Sequence, residues 1–271
     1  MPPALVCLDT ETATLGGAPH LVELGAVRVV EGEVADHFVA LVRPLVPIDP
    51  DATAIHGIRD EDVDGAEPAP DVLARFLAWL DDDWMAAHNA PFDARVLAFE
   101  LARAGLVAPP QPVLDSLRLA RRLLPDAPDH RLETLREHLG LEEGEHHRAL
   151  PDAVWCWKTI EACIERLGSQ SSLPALLGKQ GGVPITIPAH SPHPGRGLKP
   201  RHRPLERACA SRSRITLLYG EPPEPPVPLP VVPWLLFSQS ERSYLEAECC
   251  KSGLLKTYRL DRIHRVLEIG S

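Results

Sequence analysis

The chain opens on a continuous apolar run, ALVCLD (Ala4 to Asp9), which ends on one carboxylate and meets a second two residues later, in DTET. An apolar run without alternation suits a strand covered on both faces. Two β-rich segments follow, LVELGAVRVV and VADHFVALV, with Glu31-Gly32-Glu33 as the turn between them. Beyond them the hydrophobic period changes. DVLARFLAWL, DARVLAFELARAG, SLRLARRLL, RLETLREHLG and DAVWCWKTIEACIERLG repeat at helical spacing, with WMAAH and PVLD as short strands between them. Gly105 and Gly140 stand where two of these helices should stop. Three hairpin-like strands followed by alternating helix and strand predict a layered α/β fold with a mixed sheet.

The composition is that of an ordinary globular protein, with 44% hydrophobic and 24% charged residues among 271. No apolar stretch approaches the roughly 20 residues that span a bilayer. The start, MPPALVCLDTET, lacks the basic region and small-residue cleavage site of a signal peptide, so a cytoplasmic protein is expected. Cys7, Cys156 and Cys163 fall at apolar positions, and no CxxC pair suggests zinc. The net charge of −10 divides into roughly −16 over the first 170 residues and roughly +6 over the rest. An acidic body is the wrong sign for passive nucleic-acid binding unless its carboxylates hold cations that then meet phosphates. The basic remainder would supply attraction.

The carboxylates have a pattern. Asp9 and Glu11 are alternate residues of an extended strand, so both can converge on one cation. Hard oxygen ligands of this kind suit Mg²⁺ or Mn²⁺. In HNAPFD, Asp93 begins a helix after a short strand, where a carboxylate can also serve as helix N-cap. In HRALPD, His147 precedes Asp152 by five residues at the start of the last long helix, and Pro151 is tolerable in a first helical turn. His146 is out of register with that spacing and reads as a surface residue.

Taken in order, Asp-x-Glu, Asp and His…Asp on this succession of elements closely resemble the DEDDh exonucleases of the DnaQ-like family, which includes polymerase proofreading subunits and RNase T. The resemblance covers residues 4–167 and extends to LVELGAV, ATAIHGI, VLDSLRLARRLLP and HRLETLREHLGL. It implies a ribonuclease H-like mixed sheet flanked by helices and hydrolysis assisted by two divalent cations, Mg²⁺ or Mn²⁺. By similarity Asp9 would bridge both cations, Glu11 and Asp152 would hold one of them, Asp93 would support the other, and His147 would be the general base. His56 resembles the family residue beside the terminal nucleotide, and Gly57 would allow close backbone approach. Thr10 would offer its backbone to the last sugar. Asn89 and Phe92 would line the pocket, Phe92 being equally readable as a core aromatic. Pro151 departs from the acidic or small residue common in the motif, which is expected to alter the helix start.

Residues 169–204 are rich in Pro, Gly and Ser and read as an extended linker between an exonuclease body (1–168) and a small, mostly β module (205–271). EPPEPPVPLP reads as a polyproline-type loop within that module. Residues 214–269, through RITLLYG, VVPWLLF, SYLEAEC and KTYRLDRI, resemble a WYL domain, although Ser243 stands where the family has tryptophan. The resemblance implies an Sm-like barrel that binds nucleic acid or a nucleotide-type ligand. Arg214, Tyr244, Arg259 and Arg262 are its candidate ligand-facing residues. Alternatively, Arg259 and Arg262 pair with Asp261 and Glu268 on the barrel surface.

The expected function is therefore a 3′–5′ exonuclease acting on single-stranded DNA, with the C-terminal module recruiting or sensing nucleic acid. An RNA-trimming exoribonuclease and a non-catalytic nucleic-acid sensor are the alternatives. A polymerase or repair partner is compatible with the resemblance, and no membrane association is expected.

Overall fold

The strand that carries the first two carboxylates lies at the centre of a seven-stranded sheet. A computed structural model describes residues 4–141, 148–168, 172–195, 198–221, 223 and 225–268. His146 and His147 lie outside the described residues. Strands β1 (Leu5–Thr12), β2 (Leu21–Val30) and β3 (Glu33–Arg43) form an antiparallel meander. Two short helices follow, α1 (Pro50–His56) and α2 (Asp60–Val63). Strand β4 (Glu67–Pro68) then leads into α3 (Ala69–Leu80). Strand β5 (Trp84–Ala87) returns parallel to β1 and is followed by α4 (Pro91–Ala104), β6 (Pro112–Asp115), α5 (Ser116–Leu123), α6 (Leu132–His138) and α7 (Ala149–Leu167). After α8 (Leu173–Gln180), strand β7 (Ile185–Thr186) pairs antiparallel with β6. The sheet order is β4-β3-β2-β1-β5-β6-β7. This is the ribonuclease H-like arrangement expected from the sequence.

The two faces of the sheet explain the unbroken apolar run. Val6 and Leu8 join the core with α3 and α4, whereas Leu5 and Cys7 join the core with α5, α7 and α8. Gly105 and Gly140 both take the left-handed conformation, and Gly105 caps α4 through its N–H to Ala102 and Leu101 carbonyls. Cys7, Cys156 and Cys163 are buried free thiols. Among the described residues no helix is long and apolar enough to cross a membrane.

Part of the stretch expected to be linker is ordered into this body. In α8, Leu176 is buried against the α5–α7 side, and Ile185 of β7 joins the opposite core. Three buried apolar side chains, Leu176, Ile185 and Ile187, anchor residues 173–187, although Pro and Gly hide their periodicity. The chain divides into two compact units after His190, with Gly16–Ala18 grouped with the second.

The second unit contains α9 (Pro204–Ser211) and a five-stranded antiparallel sheet. Its strands are β8 (Ile215–Tyr219), β9 (Val227–Gln239), β10 (Arg242–Cys249), β11 (Leu255–Arg259) and β12 (Ile263–Glu268). Their order is β11-β10-β9-β8-β12. The end of the proline-rich segment, VPLP, is strand rather than loop. Pro228 and Pro230 sit where β9 has β8 as its partner and β10 has not yet joined. Pro233 lies beside a register shift at Glu246/Ala247. Edges and bulges are where a residue without an N–H is tolerated in a sheet.

One glycine sets how closely helix and sheet can meet. Gly25 pairs with Asp9 across β1 and β2, and a Cβ on it would lie 2.3 Å from the Ala149 carbonyl carbon and the Leu150 nitrogen, both backbone. Gly25→Ala is therefore expected to destabilise the body by about 3 kcal/mol, the upper range for overpacking. Urea unfolding checks this; a loss below about 0.5 kcal/mol would mean that α7 can move away freely.

Candidate active site

Strand alternation places Asp9 and Glu11 on the face of β1 covered by α7, and Thr10 on the face covered by α4. Helix α7 begins at Ala149, so Pro151 and Asp152 both fall in its first turn, and the departure at Pro151 is accommodated there. Carboxylate oxygens of Asp9, Glu11 and Asp152 all lie within 4.8 Å of one another. Asp93 approaches from α4. It lies inside the first turn, behind Ala90 and Pro91, so it does not serve as the N-cap. Its Oδ1 accepts the Thr10 hydroxyl at 2.8 Å.

The electrostatics match a site built for cations. Burial, then the charges of Asp93, Asp152 and Glu11, pushes the Asp9 carboxyl well above its usual value. Glu11 rises from 4.5 to about 8 through burial and the neighbouring Asp152, Glu23 and Asp93, with Arg148 opposing. Burial raises Asp93 from 3.8 to about 7 against the Thr10 hydrogen bond. Burial and Glu23 raise Asp152 to about 7. Four carboxylates held this close resist ionising together, and a hard divalent cation relieves that repulsion.

Glu23 is a site neighbour that the sequence reading did not single out. It faces Glu11 across β1 and β2 and is buried. Its carboxylate accepts Arg148 Nε and Nη2 at 2.7–3.2 Å and the Ala149 N–H at 2.9 Å. This clamp fixes the start of α7, and hence Asp152, against β2. Nothing in LVELGAV distinguishes such a glutamate from a solvent-facing strand residue.

The substrate candidates separate. His56 is buried with both ring nitrogens engaged: Nδ1 accepts the Ile58 N–H at 3.1 Å and Nε2 lies 3.2 Å from the Thr12 carbonyl. Gly57 takes φ 74° as the left-handed cap of α1. Asn89 also has positive φ, at 64°, and its N–H donates to Asp115 Oδ1. Phe92 is 46% exposed, which removes the core reading. A cavity of about 820 Å³ runs from Asp9 and Asp152 past His88 and Asn89 to Arg121 and Arg131. His88, also missed, bridges Ser116 Oγ at 2.8 Å and the His130 carbonyl at 3.0 Å.

In the second unit, Arg259 is held by Asp261 at 2.5–3.0 Å and Arg262 by Glu221. The first is the surface pair anticipated as the alternative; the second uses a different carboxylate. Tyr244 stacks on Phe237 with ring centroids 5.2 Å apart, and Arg214 is exposed. Ser243, in place of tryptophan, donates its hydroxyl to the Pro194 carbonyl at 2.7 Å.

Known proteins share parts of this sequence and the fold of its body. The chain is 32% identical over 226 residues to a PolC-type DNA polymerase III of Oceanobacillus iheyensis, covering 80% of this chain and 16% of the polymerase. With the Bacillus subtilis PolC-type polymerase it shares 36% over 149 residues, 54% of this chain and 10% of that one. The chain thus spans a small fraction of these relatives. The structure of exonuclease X in complex with 5′ overhanging duplex DNA is 30% identical, covers 65% of this chain and 99% of that one, and superimposes with a TM-score of 0.53. The nuclease domain of 3′hExo, a DEDDh family member bound to rAMP, shares the fold at 19% identity and a TM-score of 0.53, over 61% of this chain and 92% of that one. DEDDh exonucleases use divalent metal ions, and the converging oxygens of Asp9, Glu11 and Asp152 fit such a group. The WYL domain profile matches residues 200–267. With the exonuclease profile matching residues 6–159, more than half of its length, the chain belongs to the RNase T exonuclease family.

Proposed function

We propose that the protein removes nucleotides stepwise from the 3′ end of single-stranded DNA, assisted by two divalent cations, Mg²⁺ or Mn²⁺. The observation that carries this reading is the convergence of Asp9, Glu11 and Asp152 within 4.8 Å, with Asp93 buried behind them. Asp9 would reach both cations, Glu11 and Asp152 one, and Asp93 the other. Such cations supply Lewis-acid stabilisation of the attacking and leaving oxygens of an in-line displacement. His147, by its spacing from Asp152, takes a proton from the attacking water. The Thr10 hydroxyl holds Asp93, and its backbone faces the terminal sugar; His56 braces the Thr12 carbonyl, and Gly57 turns the chain beside it. Asn89 lines the cleft and Phe92 offers an open aromatic face to the terminal base. DNA rather than RNA is favoured by the 30% identity to a nuclease solved with duplex DNA and by the PolC-type polymerases, which also make a polymerase-associated role worth testing.

For the C-terminal module we propose an Sm-like barrel that binds nucleic acid or a nucleotide-type ligand. A helix followed by five strands, a 3-10 turn (Leu260–Arg262) joining β11 to β12, and the return of β12 to β8 support closure. Arg214 and Tyr244 are its better ligand candidates, because Arg259 and Arg262 are already held by carboxylates.

The test uses 5′-labelled single- and double-stranded DNA and RNA with Mg²⁺, Mn²⁺ or EDTA. A ladder shortening from the 3′ end, faster on single-stranded DNA and absent in EDTA, is expected. Internal cuts, loss of the 5′ label first, or activity that survives EDTA would overturn the reading; a faster RNA ladder would transfer it to an exoribonuclease.

A further inference from the structure

The acidic body neutralises most of its cations internally. Arg28 is held by Asp83, Arg75 by Glu67, Arg103 by Glu100, and Arg148 by Glu23. Helix α5 shows the contrast most clearly. Arg118 pairs with Asp115 and donates to the Val183 carbonyl at 3.1 Å, and Arg122, one turn on, donates to the Lys179 carbonyl at 2.8 Å. Arg121 of the same helix is turned instead to the cavity that Leu117, one turn before it, also lines. It has no ion-pair partner among the described residues, and it lines the cavity that holds Asp9 and Asp152. Arg131, before α6, is also exposed, without a described carboxylate partner for its guanidinium, and lines the same cavity. Asp129 on that rim is occupied as acceptor for the Arg131 N–H at 2.8 Å. Asp129 and Glu133 are the opposing charges on this rim.

The chemistry of the reaction decides what such a pair would hold. An enzyme that takes the 3′ terminal nucleotide at its carboxylates must accommodate the remaining strand on the 5′ side, as a row of phosphodiester anions. Guanidinium groups match phosphate oxygens in paired hydrogen bonds. We propose that Arg121 and Arg131 form a phosphate track for the substrate strand, gripping backbone phosphates on the 5′ side of the bond to be cut. The track rests on the exonuclease reading above and explains how an acidic body can retain a polyanion without help from the basic module. It reads the backbone and so serves DNA and RNA alike.

The full chain is compared with Arg121→Ala, Arg131→Ala and the double variant, with Arg75→Ala as a control that removes an arginine elsewhere. KM and kcat are measured on a single-stranded oligonucleotide of about 12 nucleotides, a length in the range of single-strand sites, and on a dinucleotide. KM on the longer strand should rise about tenfold per arginine, in keeping with a charge-assisted hydrogen bond, while kcat changes far less and the dinucleotide is little affected. The slope of log affinity against log salt, read by anisotropy with a 5′-fluorescent oligonucleotide, should fall by about 0.7 for each arginine removed. Arg121→Lys should recover part of the loss. Equal losses on both substrates would indicate a structural role and overturn the track, as would a longer-strand KM matching that of Arg75→Ala. If the wild-type chain hydrolyses neither substrate, the exonuclease reading fails instead. The salt slope then decides the track: a double variant indistinguishable from Arg75→Ala overturns it.

Discussion

Asp9→Asn should lower kcat on a 3′ end by at least about a thousandfold, roughly 4 kcal/mol of transition-state stabilisation, while making the cation-free protein more stable. Asp9 is half-buried and repelled by all three others, Asp93, Asp152 and Glu11. Removing its charge removes the ligand best placed to reach both proposed cations, so activity collapses. The same change removes the repulsion between Asp9 and the carboxylates that remain, and asparagine keeps the shape of the side chain. A purely structural role would give the opposite pairing, with stability and activity falling together. Single-turnover hydrolysis in Mn²⁺ and a melting curve in EDTA read the two quantities. Activity within tenfold of wild type would remove Asp9 from the site.

The second large effect is on stability. Glu11 is raised from 4.5 to about 8, and Asp93 and Asp152 from 3.8 to about 7. Each group holds its proton more tightly in the folded chain than in the unfolded one. In the absence of cations, stability should therefore fall as pH rises from about 4, where the unfolded groups ionise, to about 8, where the folded ones have done so. Divalent cations reverse this by binding the ionised carboxylates of the folded state. At a hundred times Kd the stabilisation is about 2.7 kcal/mol, or about 5–10 °C for a domain of this size. Melting of the exonuclease body in EDTA and in Mg²⁺ should diverge at pH 8 and converge near pH 5. Parallel curves across that range would mean that the carboxylates hold no cation.

Much of the site was legible because its chemistry is local. Asp9 and Glu11 share a strand face by alternation alone, and Asp152 is fixed in a first helical turn by the proline before it. The fold was legible for the same reason: a two-face apolar strand, a turn, and a change of period specify layers. Legibility failed where a residue's meaning depends on a distant partner. Arg118, Arg121 and Arg122 are nearly adjacent letters, yet two are tied down beside α8 and one opens onto the cleft. Glu23 and Arg148 stand 125 residues apart and meet at the start of α7. Residues 173–187 read as linker because Pro and Gly dilute their pattern, and the docking of Leu176 and Ile185 decides otherwise.

The sequence by itself therefore determined the inventory: an acidic set in a fixed order, carried on a strand and two helix starts, with a separate β module behind it. Only the tertiary structure decided which charges are balanced and which are left open. Ion pairing and burial depend on distances of a few ångströms between segments far apart in the chain, whereas periodicity records only what each segment presents to the core.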